Sequence, residues 1–168
     1  MSLISATFDL LLVLAIFDFA KKTPNRLKGR KTFNSLGWAM LAVAILDAIV
    51  NLSGLDFGVV AIYILILYIL TSIFMIRGAS ILKQYESCDE PRMSFKPLRV
   101  MMIILAVLLL LGSTMIIILF VILGDLSGLK DDPDTGLEII FQILNIAFTL
   151  VLTLLFFRDS DKLESIDK

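Results

Sequence analysis

The chain has no histidine and a single cysteine, Cys88, so the side chains able to do chemistry are carboxylates, amides and hydroxyls, and a few fall inside long apolar stretches. The fullest pattern is Glu138, Gln142, Asn145, Thr149 and Thr153, spaced by four, three, four and four residues. On an α-helix that spacing makes one continuous polar stripe. Asp9 and Asp47 stand in two other apolar stretches; Asn51 follows Asp47 by four residues and Ser5 precedes Asp9 by four. An aspartate at the centre of a membrane helix costs about 2.5–3.5 kcal/mol, so each such residue has to be partnered or put to use.

Two uses fit these residues. If the first two helices lie side by side, Asp9 and Asp47 can share a proton or hold a cation, because two desolvated like charges do not both stay ionised. Alternatively they form a polar clamp that fixes helix packing or contacts a partner subunit. The Glu138–Thr153 stripe either lines a path for an ion, proton or small polar molecule, with Glu138 at the outer mouth, or makes interhelical hydrogen bonds. Threonines can also satisfy themselves by bonding to their own helix backbone. The candidate intramembrane polar site is therefore Asp9, Asp47, Asn51, Glu138, Gln142 and Asn145.

Other chemistry is poorly served. Without histidine or a second cysteine there is no basis for a zinc site or a disulfide framework, and no catalytic residue, metal or cofactor is expected. No phosphate-binding glycine loop, His-Glu-x-x-His or Gly-x-Ser-x-Gly occurs. The acidic run Asp125, Asp131, Asp132 and Asp134 lacks the spacing and closing glutamate of an EF-hand loop. Cys88 has acidic neighbours, Glu86, Asp89 and Glu90, which disfavour a reactive thiolate. Asp18 precedes Lys21 and Lys22 by three and four residues, so local salt bridges account for it. Tyr63, Tyr68, Thr71, Ser72, Ser113 and Thr114 read as ordinary packing residues, and Trp38 as an interfacial anchor.

The elements that must position these residues follow from composition. Of 168 residues, 58% are hydrophobic and 18% charged, with a net charge of −1, whereas a soluble domain is about 45–50% apolar and about 25% charged. A core cannot absorb the excess, because a domain of this size buries only about 70% of its chain surface. Five apolar stretches, residues 3–20, 36–52, 57–76, 98–123 and 136–157, lie near the ~20 residues a membrane-spanning helix needs. They are continuous rather than alternating, which excludes a barrel. The expected fold is an all-α integral membrane bundle of five transmembrane helices.

Charge sets its orientation. Loop 21–35 carries six bases and no acid: Lys21, Lys22, Arg26, Lys28, Arg30 and Lys31. Arg77, Lys83, Arg92, Lys96 and Arg99 in and beside loop 77–97, with Arg158, Lys162 and Lys168 in tail 158–168, add eight on the same side. The opposite side has Lys130 alone, in the acidic loop 124–135. The positive-inside rule then places the N-terminus outside and the C-terminus in the cytoplasm of a multi-pass protein of the cell (plasma or inner) membrane. The first stretch reads as a retained helix rather than a signal peptide, since its bases follow the apolar run. Matching lead-ins (Arg30–Phe33 and Arg92–Phe95) and matching tips (Leu52–Leu55 and Leu126–Leu129) suggest a 1+2+2 parallel hairpin repeat.

The six bases of loop 21–35 either contact anionic lipid head groups or act only as topology determinants. Expected partners are the bilayer and further copies or other membrane subunits, with no nucleic acid. The leading functional expectation is a non-enzymatic membrane protein working through helix–helix contacts, as a complex subunit or a sensory or scaffold module. The alternative is a small oligomeric transporter or ion/proton pathway using the intramembrane carboxylates.

Overall fold

The computed structural model of the chain describes residues 3–23, 29–53, 57–88, 94–123 and 135–164. These form five α-helices: α1 (Leu3–Lys22), α2 (Gly29–Ser53), α3 (Phe57–Cys88), α4 (Lys96–Leu123) and α5 (Thr135–Glu164). The side chains of Asp47, Asn51, Glu138 and Gln142, all of Arg26 and Lys28, and the acidic loop 124–134 lie outside the described residues. Helix is the natural state of such stretches, because every backbone N–H and C=O is then paired within the segment and none has to face hydrocarbon. Three of the helices contain spans long and apolar enough to cross a membrane: Ile62–Glu86, Lys96–Met115 and Ile143–Leu163. Only 22% of the most apolar window of α4 is buried within the bundle, so its side chains face outward, as they do in a protein solvated by lipid.

Local chemistry sets the ends. Thr23 closes α1 by donating from both its amide (3.0 Å) and its hydroxyl (2.8 Å) to the Phe19 carbonyl, and Pro24 next in sequence bars a further turn. Ser94 receives the Lys96 amide on its hydroxyl at 3.4 Å at the start of α4, and Pro97 falls in the first turn, where its missing N–H costs nothing. At their C-terminal ends α3 and α5 run on past residues 76 and 157, where the apolar runs stop. The loop expected over 77–97 and the tail expected from 158 are therefore largely helical. Partners in other helices hold them: Arg99 pairs with Glu86 between α4 and α3. In α5, Asp159 is fully buried and paired with Lys162 (2.7 Å) and Arg158 (2.8 Å), while Lys162 also donates to the Ser94 carbonyl at 3.1 Å.

The helices are arranged as a ring in chain order, each packed on the next, with α5 returning to pack along α1. The seam between α4 and α5 is the least packed of the five. Among the described residues α2 and α3 pair closely, while α4 leans on α3 and α5 on α1. One end of the ring gathers the C-terminal ends of α1, α3 and α5 with the starts of α2 and α4, and carries the described bases. Its core is aromatic: Phe19, Phe33 and Phe156 are fully buried. Their rings meet edge to face, at centroid distances of 4.8 Å (Phe19–Phe33), 5.4 Å (Phe19–Phe156) and 6.4 Å (Phe33–Phe156). That geometry sets ring edges against ring faces and is favoured by the aromatic quadrupole. Gly78 lets this core close, because a Cβ there would stand 2.8 Å from Met102 Cε and 3.0 Å from the Phe33 ring. Gly37 does the same between α2 and α1, beneath the Phe17 ring.

Candidate functional site

Beyond the aromatic core, on the side away from the basic end, the ring of helices encloses a cavity of about 90 Å³ to which all five contribute. A water needs about 10–15 Å³ of such space, so several fit. Helix α1 supplies Asp9 and Leu12, α3 supplies Tyr68 and Thr71, and α5 supplies Asn145 and Thr149; α2 and α4 close it with apolar side chains such as Val43 and Leu105. Its polar groups are one carboxylate, one amide and three hydroxyls, set in an apolar wall.

These groups are disposed in a particular way. The Thr149 hydroxyl donates to the Asp9 carboxylate, bridging α5 to α1. No described lysine or arginine pairs with Asp9. Four other helix hydroxyls bond to their own backbone: Ser72 to Tyr68 O (2.8 Å), Ser113 to Leu109 O (2.7 Å), Thr114 to Leu110 O (2.8 Å) and Thr153 to Thr149 O (2.7 Å). Thr71 departs from that habit. It is 1% exposed, and its Oγ1 has no hydrogen-bond partner among the described residues. A buried hydroxyl left without a partner costs about 1–3 kcal/mol, which a molecule in the cavity would recover.

Of the sequence-predicted site residues, the fold brings together Asp9 and Asn145, joined by Thr149 from the α5 stripe. Thr153, a turn further on, is buried and bonds to its own helix, as threonines were expected to do. Asp47 lies one turn beyond Val43 and Ala44 of the cavity wall along α2, and Gln142 and Glu138 lie further along α5 from Asn145. The expected approach of Asp47 to Asp9 falls on side chains outside the described residues. Thr71 and Tyr68 are the residues that the sequence reading missed by treating them as packing. Their separation of three residues, which puts both on one face of an otherwise apolar helix, was the signal available.

The basic loop divides. Lys21, Arg30 and Lys31 are exposed, whereas Lys22 bridges Asp18 at 3.1 Å and Asp161 of α5 at 3.5 Å. Asp18 also accepts the Ser160 hydroxyl at 2.6 Å, so its local ion pair, as expected from sequence, extends into a contact between α1 and α5. Among the described residues no three histidine, cysteine, aspartate or glutamate side chains group as metal ligands do. No protein-family model matches the chain, and no curated protein or solved structure proves similar to it.

Proposed function

We propose that this chain is a five-span integral membrane protein, N-terminus outside and C-terminus cytoplasmic, whose activity is carried by the polar cavity: it binds an ion or small polar solute there as part of a pathway or a sensor. The observation that carries this reading is that Asp9, Thr149, Asn145 and the unpartnered Thr71 line one cavity. The basic end supports the orientation, since Lys21, Lys22, Arg30 and Lys31 gather there with the described bases of the neighbouring helix ends. Helices α1 and α2 are taken as the remaining two crossings because each packs along one helix apolar enough to span, α1 on α5 and α2 on α3. The aromatic core seals the cavity toward the basic end, so entry is from the outer half, past the exposed Asn145.

The helix-contact role has a separate support, the row of exposed Ile62, Ile66 and Ile73 on α3, a face that suits a partner helix as well as lipid. The lead-in and tip matches support the hairpin duplication, which places no demand on the cavity.

Thiol labelling tests the cavity reading. In a Cys88→Ser background, Asn145→Cys is expected to react with a membrane-impermeant methanethiosulfonate added from the outside. Met115→Cys, whose position on α4 is 59% exposed toward lipid, stays unmodified, because a thiol in hydrocarbon forms no thiolate. Equal labelling of both, or of neither, overturns the reading.

A further inference from the structure

The chemistry of the lining identifies what the cavity takes. We propose that it holds a monovalent alkali cation, with sodium as the test ion, on Asp9, Thr149, Thr71 and Asn145; this rests on the cavity reading above and names its ligand. Three observations carry it.

The first is charge. Among the described residues lining the cavity Asp9 is the one ionisable carboxylate, and no described base balances it. A lone carboxylate in a low-dielectric site calls for one positive charge. A divalent ion would instead bring an uncompensated second charge into the same apolar wall.

The second is donor type. Every polar side chain at the cavity offers oxygen: carboxylate, amide carbonyl, threonine hydroxyls and the Tyr68 phenol. With no imidazole or thiolate there, the set suits a hard cation and gives transition metals nothing to prefer. Calcium generally takes six to eight oxygens from several carboxylates, and the described lining offers one.

The third is the state of the hydroxyls. Thr149 donates its proton to Asp9, which leaves its oxygen lone pairs free to coordinate, and the donation orients the carboxylate toward α5. Thr71 Oγ1 comes from the facing helix α3 and has no partner among the described residues. Carboxylate, two hydroxyls and the Asn145 amide thus line one cavity from three helices, and the volume leaves room for waters to complete the shell.

The test is thermal unfolding of the full-length protein in detergent, followed by Trp38 fluorescence, with sodium chloride titrated against choline chloride at constant ionic strength. A saturable rise in Tm with sodium is expected. Thr71→Val is expected to raise the sodium concentration at half effect about tenfold, the loss of one ion–oxygen contact of charged-group strength. Asp9→Asn is expected to fold and to show no sodium dependence. An equal rise in choline, a sodium response retained in Asp9→Asn, a tighter response to calcium, or a response to pH with none to sodium would each overturn the proposal. If Asn145→Cys labels from outside and sodium has no effect, the ligand assignment fails while the cavity reading stands; if labelling fails, the cavity reading itself falls.

Discussion

Replacing Asp9 by leucine is expected to stabilise the folded protein while removing its response to any cavity ligand. Asp9 is half-buried on the cavity wall without a basic partner. Set in the first half of α1 rather than at its centre, it costs about 2 kcal/mol, somewhat below the ~2.5–3.5 kcal/mol of an aspartate at a membrane-helix centre. Leucine removes that cost, and the Thr149 hydroxyl left behind can turn to its own helix backbone, as Thr153 already does. At about 2–4 °C per kcal/mol for a chain of this size, Tm in ligand-free buffer rises by about 4–8 °C. A clamp that fixes helix packing predicts the reverse, since cutting the α1–α5 bridge would then lower Tm. One melting curve therefore separates the two uses of Asp9 that the sequence leaves open. A residue that costs stability and is retained for function belongs to a site.

Phe156→Ala is expected to have the largest effect of any single core substitution, in the opposite direction. Phe156 is 0% exposed and stands edge-on to both Phe19 and Phe33, so its removal strips one wall from three helices at once. Within a bilayer the apolar surface does not gain by leaving lipid, and the loss falls on packing: the void left by the ring and the two ring–ring contacts. A Phe→Ala change in a core costs about 3–5 kcal/mol, which lowers Tm by about 6–20 °C. Trp38→Ala is the matched control. Trp38 is 65% exposed and touches Phe17 at 5.5 Å, so its removal is expected to shift Tm by no more than about 2 °C, as surface positions do. A large loss at Trp38 with a small one at Phe156 would mean that the bundle is held at its periphery rather than by the aromatic core.

Much of this fold is legible in sequence because lipid makes strong local demands. An apolar run that must cover its own backbone has few options besides helix, so Ile62–Glu86 and Lys96–Met115 are visible as hydropathy alone. The pairing of Asp18 with Lys22 is equally local, fixed by a spacing of four. Where helices end is less legible, because it depends on partners distant in sequence. Nothing near Asp159 foretells its burial; Lys162 is close in sequence, but the wall that excludes water comes from other helices. Ser160 meets Asp18 across 142 residues of chain. The site was half legible for the same reason. Intramembrane acids and amides announce themselves by cost, which singled out Asp9 and Asn145. A threonine costs little, and its spacing from Tyr68 is a weak signal, so Thr71 stands out once the helices bury it without a partner among the described residues.

The central claim is that the space beside Asp9 is wet and reached from the outer side, and Thr71 is the residue that reports on it most directly. In a Cys88→Ser background, Thr71→Cys places a thiol where the native side chain is only 1% exposed, deep in an apolar helix. Its reaction with a small impermeant methanethiosulfonate applied from outside can be timed in reconstituted vesicles, with and without sodium. Steady modification that sodium slows is the expected result. A thiol that stays unmodified in the folded protein, yet reacts fully once the protein is unfolded, would show a dry seam between packed helices and contradict it.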